Sequence, residues 1–209
     1  MADVDTLLEG YKSFYQRYFE SNDPLFKQLS QGQSPKTLVV ACSDSRVDPS
    51  IVMDAKPGDM FVIRNVANLV PPYDDSGSGY HGVSAALEFA VRVLNVEHIV
   101  VMGHSGCAGI ATLIDPSGVK DTDFIGEWVG IASDARAKTF EVVVDDASAD
   151  QIQHTCEQQG VLHSLANLMT FPWIASQVQE GKLQLHGWHF SIKDGRLMRY
   201  DPASAKFVC

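Results

Sequence analysis

Two short segments of the chain carry residues of the types that bind transition metals. Cys42 lies in one segment, and His104 and Cys107 lie in the other, separated by Ser105 and Gly106. Because Ser105 and Gly106 are small, an imidazole nitrogen and a thiolate on either side of them can converge on one ion. Two thiolates and one imidazole suit zinc in tetrahedral geometry, and three protein ligands leave a fourth coordination position open. The three residues therefore predict a catalytic zinc site with one Zn²⁺ per chain.

The two remaining cysteines do not extend this group. Cys156 falls in a predicted helix and Cys209 is the last residue, and neither has a partner at ligand-pair spacing. We interpret Cys156 as a core thiol, and a buried structural thiol is also the alternative interpretation of Cys42 and Cys107. We expect the remaining histidines to be packed or solvated rather than ligands. They are His81, His98, His154, His163, His186 and His189.

The fold must bring the predicted ligands together, because Cys42 and His104 are 62 positions apart. Short apolar runs at 37–41, 61–63 and 98–102 are typical of strands buried on both faces, and helical spacing of apolar residues predicts a helix over 81–94. A helical crossover between strands implies parallel pairing with a right-handed connection. Since Cys42 follows the first strand and His104 the third, both should lie at the carboxyl edge of the sheet, where ligands bind.

The rest of the chain continues this alternation. Further helices are predicted at 3–20, 122–138 and 149–179, the last broken at Pro172, and strands at 183–192 and 196–200 flank a turn at 193–195. The fold class is therefore α/β, with a central, mainly parallel β-sheet flanked by helices, an N-terminal helical arm and a C-terminal antiparallel strand pair. We expect a single domain over 1–209, with 1–34 as the arm.

Composition excludes some classes of partner. The chain has 209 residues, with 16 Lys and Arg against 26 Asp and Glu, so its net charge is −10. Such a charge repels nucleic acid. No apolar run approaches the length of a membrane span, and the N-terminal residues are acidic where a signal peptide is basic. We expect a soluble, cytoplasmic protein without a membrane or nucleic-acid partner.

The two metal-binding segments, Ala41–Arg46 and Gly103–Gly109, resemble those of the β-class carbonic anhydrases. That family holds zinc with a Cys-x-Asp-x-Arg and a His-x-x-Cys segment, and both stand here intact and in order. Further matches are Pro57–Gly58, Arg64–Asn68 and Leu185–Trp188. The resemblance implies that Cys42, His104 and Cys107 are the zinc ligands and that Asp44 and Arg46 form the catalytic dyad.

The dyad also has a physical rationale. Zinc bound by two thiolates polarises water less than zinc bound by three histidines, so another group must compensate. Arg46 can hold Asp44 ionised, and Asp44 then accepts a hydrogen bond only from a zinc-bound group that carries a proton, such as hydroxide. The predicted reaction is reversible hydration of carbon dioxide to bicarbonate and a proton by zinc-bound hydroxide. A purely structural ion pair is the alternative interpretation of Asp44 and Arg46.

The resemblance also implies a substrate pocket formed by Gln33, Phe61, Val66 and Phe89. Gln33 matches a glutamine that reaches the substrate from a neighbouring subunit in the plant-like branch of the family, and Phe89 stands where such members can carry tyrosine. Val39 replaces a tryptophan of an inhibitory bicarbonate site in another branch, which implies that this site is absent.

The wide apolar surface of the first helix favours packing on a second subunit. We expect a homodimer or a dimer of dimers.

Two other functions share these motifs. The same zinc hydroxide could hydrolyse carbonyl sulfide or carbon disulfide, and a noncatalytic module could bind zinc or bicarbonate without turnover. The motifs also leave open whether water or Asp44 is the resting fourth ligand, and they do not identify the group that carries the proton away.

Overall fold

The computed structural model describes residues 2–21, 23–76 and 81–209. Their contacts divide the chain into two compact units, the first ending at Ser34 and the second beginning at Pro35. Across these described residues, no helix combines the length and apolar character needed to cross a membrane.

The first unit is helical. Helix α1 spans Val4–Tyr15 and begins at Asp3, whose side chain accepts a hydrogen bond from the Thr6 N–H at 2.9 Å. A π-helical turn, Gln16–Glu20, continues it, and α2 spans Leu25–Leu29. The helix predicted over 3–20 is thus confirmed. Within the described part of the chain, no residue of α1 is buried.

In the second unit, the described residues form a six-stranded sheet in the order β2-β1-β3-β4-β5-β6. The pairs β1–β2, β1–β3 and β3–β4 are parallel, and β4–β5 and β5–β6 are antiparallel. The strands are β1 Thr37–Cys42, β2 Met60–Asn65, β3 His98–His104, β4 Gln184–Phe190, β5 Leu197–Asp201 and β6 Lys206–Val208. This confirms the predicted fold class; the short edge strand β6 was not predicted.

Helices flank the strands along the chain. They are α3 Pro49–Val52, α4 Gly82–Glu88, α5 Ala108–Ile114, α6 Ile125–Gly130, α7 Ser133–Val142, α8 Ala149–Leu168 and α9 Pro172–Gln179. A π-helical turn, Phe89–Val93, completes the helix predicted over 81–94. The break predicted at Pro172 is confirmed, because that proline is the first residue of α9. The short helices α3 and α5 were missed, since four to seven residues hold too few turns to show periodicity.

Both faces of the central strands are buried, as their unbroken apolar runs predicted. Leu38 and Ile99 belong to a large core cluster, whereas Val39 and Val100 belong to another. Burying one such side chain contributes about 1.5–3 kcal/mol. The ends of β1 and β3, which carry the predicted zinc ligands, are therefore rigidly placed.

Candidate metal centre

The three predicted ligands lie at one edge of the sheet. Cys42 is the last residue of β1 and His104 the last residue of β3. These strands are parallel neighbours with Ala41 opposite Met102, so their carboxyl ends lie side by side. A two-residue turn leads from His104 to Cys107, which precedes the first residue of α5. Gly106 in that turn has φ +68°, a left-handed conformation that favours glycine.

The geometry of the three side chains fits a zinc ion. Their ligand atoms lie within 4.8 Å of one another, and all three residues are buried. The Sγ atoms of Cys42 and Cys107 are 3.9 Å apart, close to the roughly 3.8 Å expected for two sulfurs on one tetrahedral zinc. The His104 Nδ1 donates to the Ser105 carbonyl oxygen at 3.1 Å. The His104 Nε2 lone pair is thereby left for a metal, and it has no hydrogen-bond partner among the described residues.

An ionised carboxylate faces this group. The Arg46 guanidinium forms a bidentate salt bridge with the Asp44 carboxylate. Its Nη2 donates to Oδ2 at 2.7 Å and its Nε donates to Oδ1 at 2.9 Å. The Arg46 backbone N–H also donates to Oδ1 at 2.9 Å. These hydrogen bonds hold the pKa of Asp44 well below its usual range. The Asp44 Oδ2 lies 3.9 Å from the His104 Nε2. Arg46 also donates to the Gly106 carbonyl oxygen at 3.0 Å, which ties the two motif segments together.

Comparison with known proteins identifies this arrangement. The sequence profile of the family described as "Carbonic anhydrase" matches residues 37–197. The chain belongs to the β-carbonic anhydrase family. This confirms the resemblance drawn from the two motifs, and with it the prediction that the chain is an enzyme of the carbonic anhydrase type.

Individual β-carbonic anhydrases cover most of the chain. "Beta carbonic anhydrase 5, chloroplastic" of Arabidopsis thaliana is 41% identical over 91% of this chain, which spans 62% of that relative's length. The solved structure of the β-carbonic anhydrase CcaA is 34% identical, covers 100% of both chains and superposes with a TM-score of 0.92. One of the tetrameric β-carbonic anhydrases of Sordaria macrospora is 30% identical over 92% of this chain and 94% of its own, with a TM-score of 0.81.

The Sγ atoms of the two cysteines in this β-carbonic anhydrase are close enough to interact directly. The hydrogen bond with Cys107 lowers the pKa of Cys42 to about 4. The same contact, together with burial, raises the pKa of Cys107 far above its usual value. Two thiolates this close need a cation between them, which is the chemistry of a divalent metal site.

Arg64 fixes the backbone of the first motif. Its guanidinium donates to the carbonyl oxygens of Cys42 and Asp44 at 2.9 Å and 2.7 Å, and to the Asp48 carboxylate at 2.8 Å. In the sequence, Arg64 stands out only as part of a segment that matches the family. Its three partners come from the adjacent strand and the loop that follows it, so only the folded chain shows this role.

The predicted pocket residues do not all lie near the ligands within one chain. Val66 directly follows β2, beside the end of β1. Phe61 pairs with Leu38, four residues before the carboxyl edge, which is about 13 Å along a strand. The ring of Phe89 stacks on that of Phe61 with centroids 5.8 Å apart. Gln33 belongs to the first unit.

A group of polar residues next to the Cys107 backbone was not predicted from the sequence. Glu157 in α8 accepts hydrogen bonds from the Cys107 N–H, the Gln153 side chain and His189. Glu157 and His189 are buried. Glu157 falls among the apolar positions of a long predicted helix. Because buried charged residues are rare unless they are paired, this placement could have indicated a buried polar group.

Proposed function

We propose that this β-carbonic anhydrase hydrates carbon dioxide reversibly at a zinc ion held by Cys42, His104 and Cys107. The observation that carries the proposal is the Asp44 carboxylate, which Arg46 keeps ionised and which faces the His104 Nε2 at 3.9 Å. When bound, zinc lowers the pKa of a coordinated water and so supplies a nucleophile near neutral pH.

Asp44 is the residue that orients the attacking oxygen. An ionised carboxylate only accepts hydrogen bonds, so Asp44 pairs with an oxygen that still carries a proton. Its own orientation is set by three hydrogen bonds from Arg46. A fixed acceptor directs the lone pair of the attacking oxygen toward the substrate carbon, and such alignment accounts for a large part of many rate enhancements. Arg46 acts through Asp44 as a positioning residue.

We further propose that the active unit is a homodimer or a dimer of dimers, in which Gln33, Phe61 and Phe89 complete a neighbour's pocket. Phe61 lies about 13 Å along its own strand from the carboxyl edge, so it suits a neighbouring site better than its own. Leu7, Leu8 and other apolar residues of α1 are largely exposed in the single chain, which leaves a surface for a second copy. The Sordaria macrospora relatives are tetrameric.

We place the enzyme in the cytoplasm, with neither nucleic acid nor membrane as a partner. The net charge of −10 opposes binding to phosphate backbones. In an intracellular chain of this size, four cysteines more often serve metal binding, catalysis or packing than a disulfide framework.

Turnover of carbon dioxide and carbonyl sulfide by one zinc-loaded preparation tests the reaction. We expect rapid hydration of carbon dioxide, followed by stopped-flow proton release. Strong sulfide release with negligible hydration would favour the sulfide hydrolase alternative. Zinc binding without turnover of either gas would favour a noncatalytic module.

A further inference from the structure

We propose that Gln153 and Glu157 of α8 clamp the backbone of Cys107 and thereby set how firmly the protein retains zinc. The inference rests on the proposed function in one respect, the ligand role of Cys107. The Glu157 Oε1 accepts the Cys107 N–H at 3.1 Å, and the Gln153 Nε2 donates to the Cys107 carbonyl oxygen at 3.0 Å. Both backbone hydrogen-bonding groups of one ligand are thus held by one helix.

The clamp is itself tightly held. The Gln153 Nε2 also donates to the Glu157 Oε1 at 2.8 Å, and the His189 Nε2 donates to the Glu157 Oε2 at 3.0 Å. Glu157 is only 3% exposed and His189 is fully buried. Removing one partner of a buried carboxylate is costly, so the four groups form a unit with a single favoured arrangement.

Glycine allows α8 to reach this position. A Cβ atom at Gly103 would lie 2.7 Å from the Val161 side chain and 3.7 Å from the Glu157 carbonyl oxygen. The helix therefore packs directly against the end of β3, next to His104. On the same helix, a Cβ atom at Gly160 would lie 3.2 Å from Ile110 of α5. α8 thus contacts both elements that carry the second motif.

Holding the Cys107 backbone affects the metal because the direction of its Sγ depends on that backbone. Cys107 has an extended conformation, φ −69° and ψ 116°, immediately before α5. The Ala111 N–H already donates to the Cys107 carbonyl oxygen at 3.0 Å, which ties it to α5. The clamp adds one bond on each side of the residue. Outer partners that orient metal ligands typically contribute about 10–100-fold to metal affinity.

The same residues suggest one other role. His154, Glu157 and His189 could offer three ligand atoms within 4.8 Å of one another, as a second metal site would. Both Glu157 oxygens, however, already accept hydrogen bonds from the protein. This satisfied carboxylate favours the clamp over a second metal.

Zinc release from the purified holoenzyme to a chromophoric chelator tests the proposal without using activity. The variants are Gln153→Ala, Glu157→Ala and the conservative Glu157→Gln, and Gln158→Ala is the matched control because its side chain contacts His154 instead. We expect release to be about 10-fold faster or more in both alanine variants. The zinc release rate of Glu157→Gln should fall between those of the alanine variants and wild type, because glutamine keeps one acceptor oxygen. The Gln158→Ala control should release zinc at the wild-type rate. Cobalt-substituted Gln153→Ala should also show a shifted thiolate-to-cobalt absorption band.

Wild-type release rates in Gln153→Ala and Glu157→Ala would overturn the clamp, even if both variants melt at lower temperature. Two zinc ions per wild-type chain, with one lost in His189→Ala, would replace it with a second metal site. If Glu157→Ala does not fold, Gln153→Ala decides the question, since it leaves the Glu157–His189 pair in place. A wild-type protein that holds zinc but hydrates no carbon dioxide would refute the proposed function alone, because the release rates would still decide the clamp.

Discussion

The Asp44 Oδ2 lies 3.9 Å from the His104 Nε2, while Arg46 holds both oxygens of the same carboxylate. A fixed negative charge thus lies next to a group of two cysteines and a histidine. Because Arg46 holds Asp44 in place beside a candidate ligand, we expect the Asp44 carboxylate to matter for catalysis rather than for metal binding.

Asp44→Asn should lower kcat/KM for carbon dioxide hydration by about 100-fold or more while zinc is retained. The amide keeps the shape of the side chain, but it can donate as well as accept, so it no longer selects and aligns the attacking oxygen. Stopped-flow hydration and metal analysis of the same sample check this. Asp194→Asn, in the turn between β4 and β5, is the control. Unchanged hydration in Asp44→Asn would contradict a catalytic role.

Cys42→Ser should reduce bound zinc from one ion per chain to nearly none, because a hydroxyl replaces a thiolate in a three-ligand site. Cys156→Ser is the matched control, since Cys156 is buried but lies outside the ligand group. It should keep its zinc. The measurement is metal content after gel filtration, and a Cys42→Ser protein with full zinc content would refute the ligand assignment.

The Asp44–Arg46 pair should stabilise the fold in a pH-dependent way. Hydrogen bonds from Arg46 lower the pKa of Asp44, so the pair contributes stability above the unfolded pKa of about 3.9 and loses it as pH falls through the lower folded value. Arg46→Ala should therefore melt below wild type near pH 7, and the difference should narrow below about pH 4. Thermal unfolding of the zinc-free proteins across this pH range measures the difference in melting temperature between Arg46→Ala and wild type. A difference that widens in acid would contradict the prediction.

Charges on α1 should disrupt assembly and activity together. Leu7 and Tyr11 are 65% and 59% exposed in the single chain, so Leu7→Glu with Tyr11→Glu should leave the chain folded but prevent α1 from packing on a second copy. Light scattering gives the mass, and hydration is measured at the same concentration. Val144→Glu, at another exposed apolar residue, is the control. A monomeric double variant with full activity would exclude a shared pocket.

Gly103→Ala should destabilise the fold by about 1–3 kcal/mol, because its Cβ would lie 2.7 Å from Val161 and push α8 away from β3. Gly126→Ala is the matched control, since Gly126 lies in a helix and, apart from its chain neighbours and that helix's own backbone, no atom of the described residues lies within 4 Å of its added Cβ. That change should be neutral or stabilise the protein by up to about 1 kcal/mol. Urea unfolding of both variants gives the free energies, and equal stability of the two would contradict the close approach of α8.

Much of the scaffold could be predicted because its signals are local. The apolar run at 37–41 and the helical spacing over 81–94 each reflect neighbours in sequence, and both elements stand where they were predicted. α5 was missed although it begins next to Cys107, because seven residues in a chain segment rich in small side chains show no period. β6 was missed for a similar reason, since its three residues follow a turn that the sequence analysis did not interpret.

The sequence by itself determined the types of the candidate ligands and the dyad, and it placed Cys42 and His104 at strand ends, since strand limits follow from hydrophobic pattern. Only the tertiary structure decided what surrounds them. That Glu157 supports Cys107 depends on how closely α8 packs at Gly103. That Phe61 lies far from the ligands of its own chain depends on the register of β2 against β1. Both relations join residues distant in sequence, and packing rather than local preference sets such distances.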